Sequence, residues 1–268
     1  MFLYSTSYHR ASTVEEAGSL LSGASDGKFV AGGQTLVATL KQRLAQPSDL
    51  IDLRHIPALK GIAVDGRVVT IGAGVTHAEV AGSGLIRSVC PAICHLASLI
   101  GDPHVRHLGT IGGSIANDDP AADYPAAMLG LGATIVTDRR QITADDFFVG
   151  LFETALKEGE IITRVDFPKV QKAGYAKFRN PASRYAMAGV FVAKTAAEVR
   201  VAVTGAGQSG VFLWTEAGDI LSSDFSVQAV SGLALDPSNL MSDLHGSAEY
   251  RAQLAKVMLK RALASITG

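Results

Sequence analysis

The stretch GTIGGSIANDDPAADYP, residues 109–125, decides how the chain folds around its site. Its diglycine follows two β-branched residues and precedes a small polar one. These five residues are Thr110, Ile111, Gly112, Gly113 and Ser114. Because glycine permits tight backbone turns, we expect a turn here whose N–H groups are free to point at a ligand. Such a turn is suited to an anion.

Three carboxylates follow this turn, on Asp118, Asp119 and Asp123. Acids at close range would repel a diphosphate, so they are better suited to accept hydrogen bonds from hydroxyl or N–H groups beside it. A phosphate on one side and a ribose on the other indicate a nucleotide cofactor. The alternative role for Asp123 is capping of the helix that follows Pro125.

A second diglycine, Gly32 and Gly33, lies upstream in FVAGGQTLVATLKQRLAQP, residues 29–47. The pattern predicts a short strand before the diglycine and a helix over 35–45 after it. One face of that helix would carry Leu36, Leu40 and Leu44. Its N-terminus would favour a phosphate, although the turn taken alone could be an ordinary strand-to-helix connection. The two diglycines together predict two loops that hold one dinucleotide.

Composition narrows the class of protein. The 268 residues are 47% hydrophobic and 18% charged, with a mean hydropathy of +0.23, so we expect another protein to cover part of the surface. A net charge of −1 without a basic run argues against nucleic acid as a partner. No window is apolar enough for a membrane span, and the first residues lack the order of a signal peptide. These features predict a cytoplasmic subunit.

Metal and cluster sites are not expected. The two cysteines, Cys90 and Cys94, are fewer than the four that an iron–sulfur cluster usually needs, and their spacing favours buried structural thiols. His104 and His107 lie three residues apart in a stretch that we do not expect to be helical, and no further ligand completes a set. His77, at the start of a predicted helix, is more typical of a surface or capping residue than of a catalyst.

The last hundred residues predict an antiparallel sheet with helices on one face. Gly205, Gly207 and Gly210 satisfy the G-x-G-x-x-G spacing of a nicotinamide-dependent dehydrogenase. That fingerprint must open a helix, whereas residues 211–214 have the pattern of a strand. We therefore predict a strand-to-strand turn at this position.

The segments AGGQTLVATLKQRLAQPSDLIDLRHIPALKGI and GDPHVRHLGTIGGSIANDDPAADYPAAMLGLGA resemble the FAD-binding medium subunit of the molybdenum hydroxylases, the family of carbon monoxide and xanthine dehydrogenases. The resemblance covers essentially the whole chain. It implies an α+β fold of the FAD-binding p-cresol methylhydroxylase (PCMH) type, like that of vanillyl-alcohol oxidase. The FAD-binding domain would span 1–168, in subdomains of about 1–53 and 54–168. A C-terminal domain with a sheet and helices would span 172–268.

The resemblance also implies which residues bind FAD. The first loop would wrap the diphosphate with Val30, Ala31, Gly32, Gly33, Gln34, Thr35 and Leu36. The second loop would contribute Thr110, Ile111, Gly112, Gly113 and Ser114, with Asn117 nearby. Asp123 resembles the acceptor for the adenosine ribose hydroxyls. Positions that approach the flavin correspond to Ile100, Ile162 and Lys177, and His77 would lie near the cofactor. Tyr185 is either a residue against the flavin ring or part of the core.

By this resemblance the chain would carry electrons without a catalytic acid or base of its own. A large subunit would hold the molybdenum cofactor, and a small subunit two 2Fe–2S clusters. FAD on this chain would pass the electrons to a final acceptor such as NAD, a quinone or oxygen. A dimer of heterotrimers is the implied assembly. Two alternatives are a free-standing FAD oxidoreductase of the same fold and a non-catalytic nucleotide-binding assembly module.

Overall fold

The computed structural model describes residues 4–266, which form three main sheets with helices between them. The first sheet is parallel, in the order β1-β3-β2, and two helices follow its outer strands. Its elements are β1 (Ser7–Arg10), α1 (Val14–Gly23), β2 (Gly27–Val30), α2 (Leu36–Lys41) and β3 (Asp49–Asp52). Helix α1 begins where Thr13 accepts a hydrogen bond from the Glu16 N–H, because this cap satisfies a free donor of the first turn.

Helix α2 is shorter than its sequence pattern predicts. It ends at Lys41 rather than at residue 45, because Arg43 has a left-handed backbone with φ of 58° that cannot continue an α-helix. Leu44, which was expected to share a helical face with Leu36 and Leu40, lies beyond the end of α2 and is 74% exposed. Only Leu40 of the three leucines is fully buried.

The second sheet is antiparallel, in the order β4-β5-β10-β6-β7, with a separate two-stranded hairpin beside it. Its strands and those of the hairpin are β4 (Ile62–Asp65), β5 (Val68–Gly72), β6 (Thr134–Thr137), β7 (Gln141–Thr143), β8 (Phe148–Gly150), β9 (Glu153–Thr154) and β10 (Ile162–Pro168). The helices around it are α3 (His77–Gly82), α4 (Gly84–Val89), α5 (Pro91–Ser98), α6 (Pro103–Leu108), α7 (Ile111–Asn117), α8 (Tyr124–Leu131) and α9 (Ala144–Phe147).

Helix α6 corrects one expectation. The stretch with His104 and His107 is helical, because Asp102 accepts a hydrogen bond from the Val105 N–H at 3.0 Å and Pro103 occupies the first helical position. Among residues 4–266, no group of three or more His, Cys, Asp or Glu side chains lies in an arrangement that could hold a metal ion.

The third sheet is antiparallel, in the order β11-β12-β13-β14. It comprises β11 (Lys172–Arg179), β12 (Ala186–Lys194), β13 (Val199–Thr204) and β14 (Phe212–Leu213), followed by α10 (Thr215–Ser223) and α11 (Ala248–Ala264). Gly205, Gly207 and Gly210 lie in the loop from β13 to β14, which confirms the predicted strand-to-strand turn.

Alternating residues of β12 give the third sheet two buried faces. Val190 and Val192 pack in the core that includes α10 and α11, whereas Phe191 and Ala193 pack in the core that includes α8. This alternation follows from the two-residue period of a strand. Every residue of α8 is buried, so α8 joins the second sheet to the third. One hydrophobic core cluster therefore extends from the second sheet to one face of the third.

Two further expectations concern the burial of the cysteines and the presence of a membrane-spanning helix. Cys90 and Cys94 are free and buried, as predicted, and burial raises the pKa of Cys90 to about 12. Cys90 lies at the junction of α4 and α5 rather than one helical turn before Cys94. Within residues 4–266, none of the helices combines the length and the apolar character needed to span a bilayer.

Candidate functional site

A cleft of about 800 Å³ lies where the first sheet, the helices α6 and α7, the segment before α8 and the second half of β11 meet. All the site residues expected from the sequence line it except Ile111, whose side chain is fully buried. Those that line it are Val30, Ala31, Gly32, Gly33, Gln34, Thr35, Leu36, His77, Ile100, Thr110, Gly112, Gly113, Ser114, Asn117, Asp123, Ile162 and Lys177. The fold therefore brings together side chains that are more than a hundred residues apart in the chain.

The loop between β2 and α2 offers a row of backbone donors to the cleft. The N–H groups of Gly32, Gly33, Gln34 and Thr35 donate to no acceptor among residues 4–266. Gly33 has φ of 69°, a conformation that glycine adopts without the steric cost of a side chain. Consecutive unpaired N–H groups form an anion-binding concavity. The prediction of a phosphate-binding turn at the first diglycine thus has matching geometry.

The second diglycine does not offer free donors, so that part of the prediction was wrong. Gly112 and Gly113 lie in the first turn of α7. The Gly112 N–H donates to the Ala73 carbonyl at 2.9 Å, and the Gly113 N–H donates to the Thr110 hydroxyl at 3.1 Å. A Cβ built on Gly112 would stand 2.5 Å from the Cβ of Ala73. Gly112 is therefore required for the close approach of α7 to the segment after β5.

The two diglycine segments face each other across a narrow gap. A Cβ built on Gly32 would stand 2.6 Å from the Cα of Gly109, and one built on Gly113 would lie 3.9 Å from the Cβ of Ala31. Real Cβ atoms essentially never approach other atoms within 3.0 Å, so the backbone at Gly32 can pass Gly109 only because residue 32 has no side chain. Both glycines line the cleft.

Asp123 lies in the cleft wall and forms a buried pair with Lys177. The Asp123 carboxylate accepts a hydrogen bond from the Lys177 ammonium at 2.8 Å and another from the Tyr175 hydroxyl. Asp123 precedes α8, but its side chain makes no cap hydrogen bond, so the alternative of a capping role was wrong. The carboxylate is instead held across to β11. Lys177, which the resemblance placed at the flavin, therefore lies beside the residue expected at the adenosine ribose.

His77 is buried rather than exposed, contrary to expectation. The backbone N–H of His77 donates to the Gly109 carbonyl at 2.9 Å, and the ring centroid of His77 lies 5.4 Å from that of Tyr124. Burial, with a smaller contribution from the positive charge of Arg106, lowers the pKa of His77 to about 4. The ring is therefore neutral at physiological pH. Its Nδ1 atom is buried without a partner in the described part of the chain.

Two acids at the end of α7 are less acidic than usual. Burial, and then the negative charge of Asp119, raise the pKa of Asp118 to about 7. Burial also raises the pKa of Asp119, which lines the cleft. Asp118 has a left-handed backbone with φ of 41°, a conformation that Asp tolerates better than most residues. Reduced negative charge here lessens repulsion of an anion in the cleft.

Several lining residues were not expected from the sequence. Among them, Ser183 and Arg184 lie in the turn between β11 and β12, beside Tyr185, for which a position against the flavin ring was one of the two expectations. Asn180 closes this turn by accepting hydrogen bonds from the N–H groups of Ala182 and Ser183, and such Asn-centred turns are readable from sequence. Tyr185 is 46% exposed, so the alternative that it belongs to the core was wrong.

Comparison with known proteins identifies the family. A family model described as the FAD binding domain in molybdopterin dehydrogenase matches residues 4–170, more than half of the chain. The chain belongs to this family. It is 34% identical over 272 residues to the carbon monoxide dehydrogenase medium chain of Hydrogenophaga pseudoflava, a match that covers 96% of this chain and 95% of that relative. It is 36% identical over 270 residues to the nicotine 6-hydroxylase medium subunit of Paenarthrobacter nicotinovorans, with the same coverage.

A solved structure confirms the fold of this molybdopterin dehydrogenase FAD-binding family member. Quinoline 2-oxidoreductase from Pseudomonas putida 86 matches with a TM-score of 0.88 and 27% identity, covering 99% of this chain and 98% of that chain. The expected family and α+β fold are thus confirmed. The chain is an FAD-binding subunit of an oxidoreductase, and the cleft fits that cofactor because it presents unpaired N–H donors suited to a diphosphate.

Proposed function

We propose that this chain is the electron-transfer subunit of a molybdenum hydroxylase, passing electrons from iron–sulfur clusters on a partner subunit through FAD to a final acceptor. The observation that carries the proposal is the cleft itself. Four consecutive unpaired N–H groups, from Gly32 to Thr35, face a second glycine segment at 109–113 across the same space. This arrangement suits a dinucleotide whose diphosphate bears the negative charge.

Each part of the cleft has a proposed role in holding the cofactor. The N–H groups of residues 32–35 would bind the diphosphate, and the Asp123 carboxylate would accept hydrogen bonds from the adenosine ribose hydroxyls. The apolar side chains of Ile100 and Ile162, with neutral His77, would form the wall near the flavin. Bound FAD supplies two-electron and one-electron redox chemistry. The protein's contribution is to bind and orient the cofactor and to exclude water from this wall.

The names of the relatives support a proposed assembly. Their names describe a medium chain and a medium subunit, which places them within larger complexes. We propose that a large subunit with the molybdenum cofactor and a small subunit with two 2Fe–2S clusters complete the complex here, as a dimer of heterotrimers. Both cysteines of this chain are buried, and an iron–sulfur cluster usually needs four. This supports clusters that are held by a partner subunit.

Isolation of the chain under native conditions from the cells that produce it tests this proposal. Native mass spectrometry should find FAD on this chain and a larger and a smaller subunit bound to it, with molybdenum and iron in the same complex. Anaerobic addition of the organic substrate should bleach the flavin absorbance in the complete complex but not in the isolated chain.

Two results would contradict the proposal. Direct bleaching of the isolated chain by an organic substrate would identify a free-standing oxidoreductase. A complex whose flavin absorbance does not change when its iron–sulfur clusters are reduced would indicate a nucleotide-binding assembly module.

A further inference from the structure

A buried tyrosine stands directly behind the Asp123–Lys177 pair. Tyr175 and Lys177 are two residues apart on β11, so their side chains leave the strand on the same face. Both reach the Asp123 carboxylate, Tyr175 at one oxygen and Lys177 at the other. Asp123 and Lys177 line the cleft, whereas Tyr175 does not. The phenol therefore touches the cleft only through the carboxylate.

The ion pair needs this third partner. The Lys177 and Asp123 side chains are 1% and 5% exposed, so both charges have left bulk water. A buried pair offsets that loss of hydration only when further hydrogen bonds satisfy the remaining lone pairs and protons. Burial, followed by the negative charge of Asp123, raises the pKa of Tyr175 well above its ordinary value. The phenol thus keeps its proton and remains a donor to Asp123.

The third sheet leaves room for the Tyr175 hydroxyl because the facing residue on β12 is a glycine. Gly189 on β12 is the register partner of Lys177, and a Cβ built on it would stand 2.7 Å from the Tyr175 hydroxyl oxygen. Phe191, the register partner of Tyr175, holds the ring from the side, with ring centroids 6.2 Å apart. The hydroxyl consequently has one defined position, against the carboxylate.

We propose that Tyr175 is a positioning residue of the FAD site: its hydroxyl fixes the Asp123 carboxylate, and through it the Asp123–Lys177 pair, in the orientation that meets the adenosine end of FAD. This inference rests on the FAD site proposed above. The competing explanation is that Tyr175, Asp123 and Lys177 only tie the third sheet to α8. The two explanations differ in what loss of the hydroxyl does to ligand binding.

The test compares Tyr175→Phe with Tyr124→Phe in the full-length chain. Both tyrosines are fully buried, but the Tyr124 hydroxyl has no partner among the described residues, so its removal is the matched control. Each apoprotein is titrated with FAD and with FMN, which lacks the adenosine half, by flavin fluorescence quenching. Tyr175→Phe should weaken FAD binding about tenfold, the effect of one lost charge-assisted hydrogen bond, and leave FMN binding unchanged. Tyr124→Phe should change neither dissociation constant by more than about twofold.

A second variant covers the case in which Tyr175→Phe does not fold. Gly189→Ala crowds the hydroxyl while keeping the tyrosine, and it should show the same loss of FAD affinity with FMN binding retained. Equal weakening of FAD and FMN, or an FAD dissociation constant equal to that of the unmodified chain, would overturn the positioning role. Failure of the proposed function is a separate outcome, in which the unmodified chain itself does not bind FAD.

Discussion

Gly32→Ala tests the close contact between Gly32 and the 108–109 backbone. The added Cβ would stand 2.3 Å from the Leu108 carbonyl oxygen and 2.6 Å from the Cα of Gly109, against the 3.4 Å at which ordinary contact begins, so the two segments must separate by roughly 1 Å. A hydrogen bond of 2.9 Å lengthened by that amount is no longer a hydrogen bond. If two of the four N–H groups no longer donate hydrogen bonds to the diphosphate, FAD binding weakens by about 3 kcal/mol, or roughly a hundredfold.

Isothermal titration of the apoprotein with FAD measures this loss. Gly18→Ala is the matched control, because a Cβ on Gly18 meets nothing within 4 Å and alanine favours the interior of α1. We expect the control to bind FAD as the unmodified chain does and to unfold at a slightly higher temperature. A Gly32→Ala protein with unchanged FAD affinity would refute the assignment of the 32–35 loop to the diphosphate.

Three further predictions concern individual side chains. Asp123→Ala should weaken FAD binding by about 1–3 kcal/mol in the same titration, and unchanged affinity would remove Asp123 from the site. The same substitution should lower the free energy of unfolding by about 3–5 kcal/mol, because it leaves the Lys177 ammonium buried without its carboxylate. Burial lowers the pKa of His77 to about 4, so the stability that depends on its neutral ring is complete above pH 6.5 and is lost as the pH falls toward 4. His77→Gln should therefore reduce the acid sensitivity of urea unfolding by up to about 3 kcal/mol between pH 7 and pH 4, and parallel pH profiles for the two proteins would contradict this. Cys90 and Cys94 are buried and the pKa of each thiol is raised, so neither should react with a thiol reagent at pH 8 until the chain is unfolded.

The sequence was most informative where function and local conformation coincide. The diglycine at 32–33 predicted a strand, a turn and a helix, because glycine spacing and hydrophobic periodicity act over a few residues. Thr76 and Glu79 have the spacing of a capping box, which is also local, and both reciprocal hydrogen bonds are present at the start of α3. The end of α2 was not predictable in this way, since it depends on the left-handed backbone of Arg43.

Features of the site that depend on contacts with distant segments could not be predicted from the local sequence. The N–H groups of Ile111 and Gly112 are not free to donate to a ligand, because they donate to the carbonyls of Val75 and Ala73 in the segment after β5. Nothing within 109–125 signals that approach. His77 has the local pattern of a capping position, but Gly109 and Tyr124 bury its ring. The pairing of Asp123 with Tyr175 and Lys177 likewise joins residues more than fifty positions apart.

Hydrogen exchange of the backbone amides, with and without FAD, tests directly whether the N–H groups of residues 32–35 bind the diphosphate. The N–H groups of residues 32–35 have no protein acceptor in the described chain, whereas those of residues 111–114 are already bonded. We predict that FAD strongly slows exchange in a peptide covering 29–36 and changes a peptide covering 111–114 much less. Exchange in the 29–36 peptide that stays equally fast with FAD bound would show that these N–H groups do not bind the diphosphate.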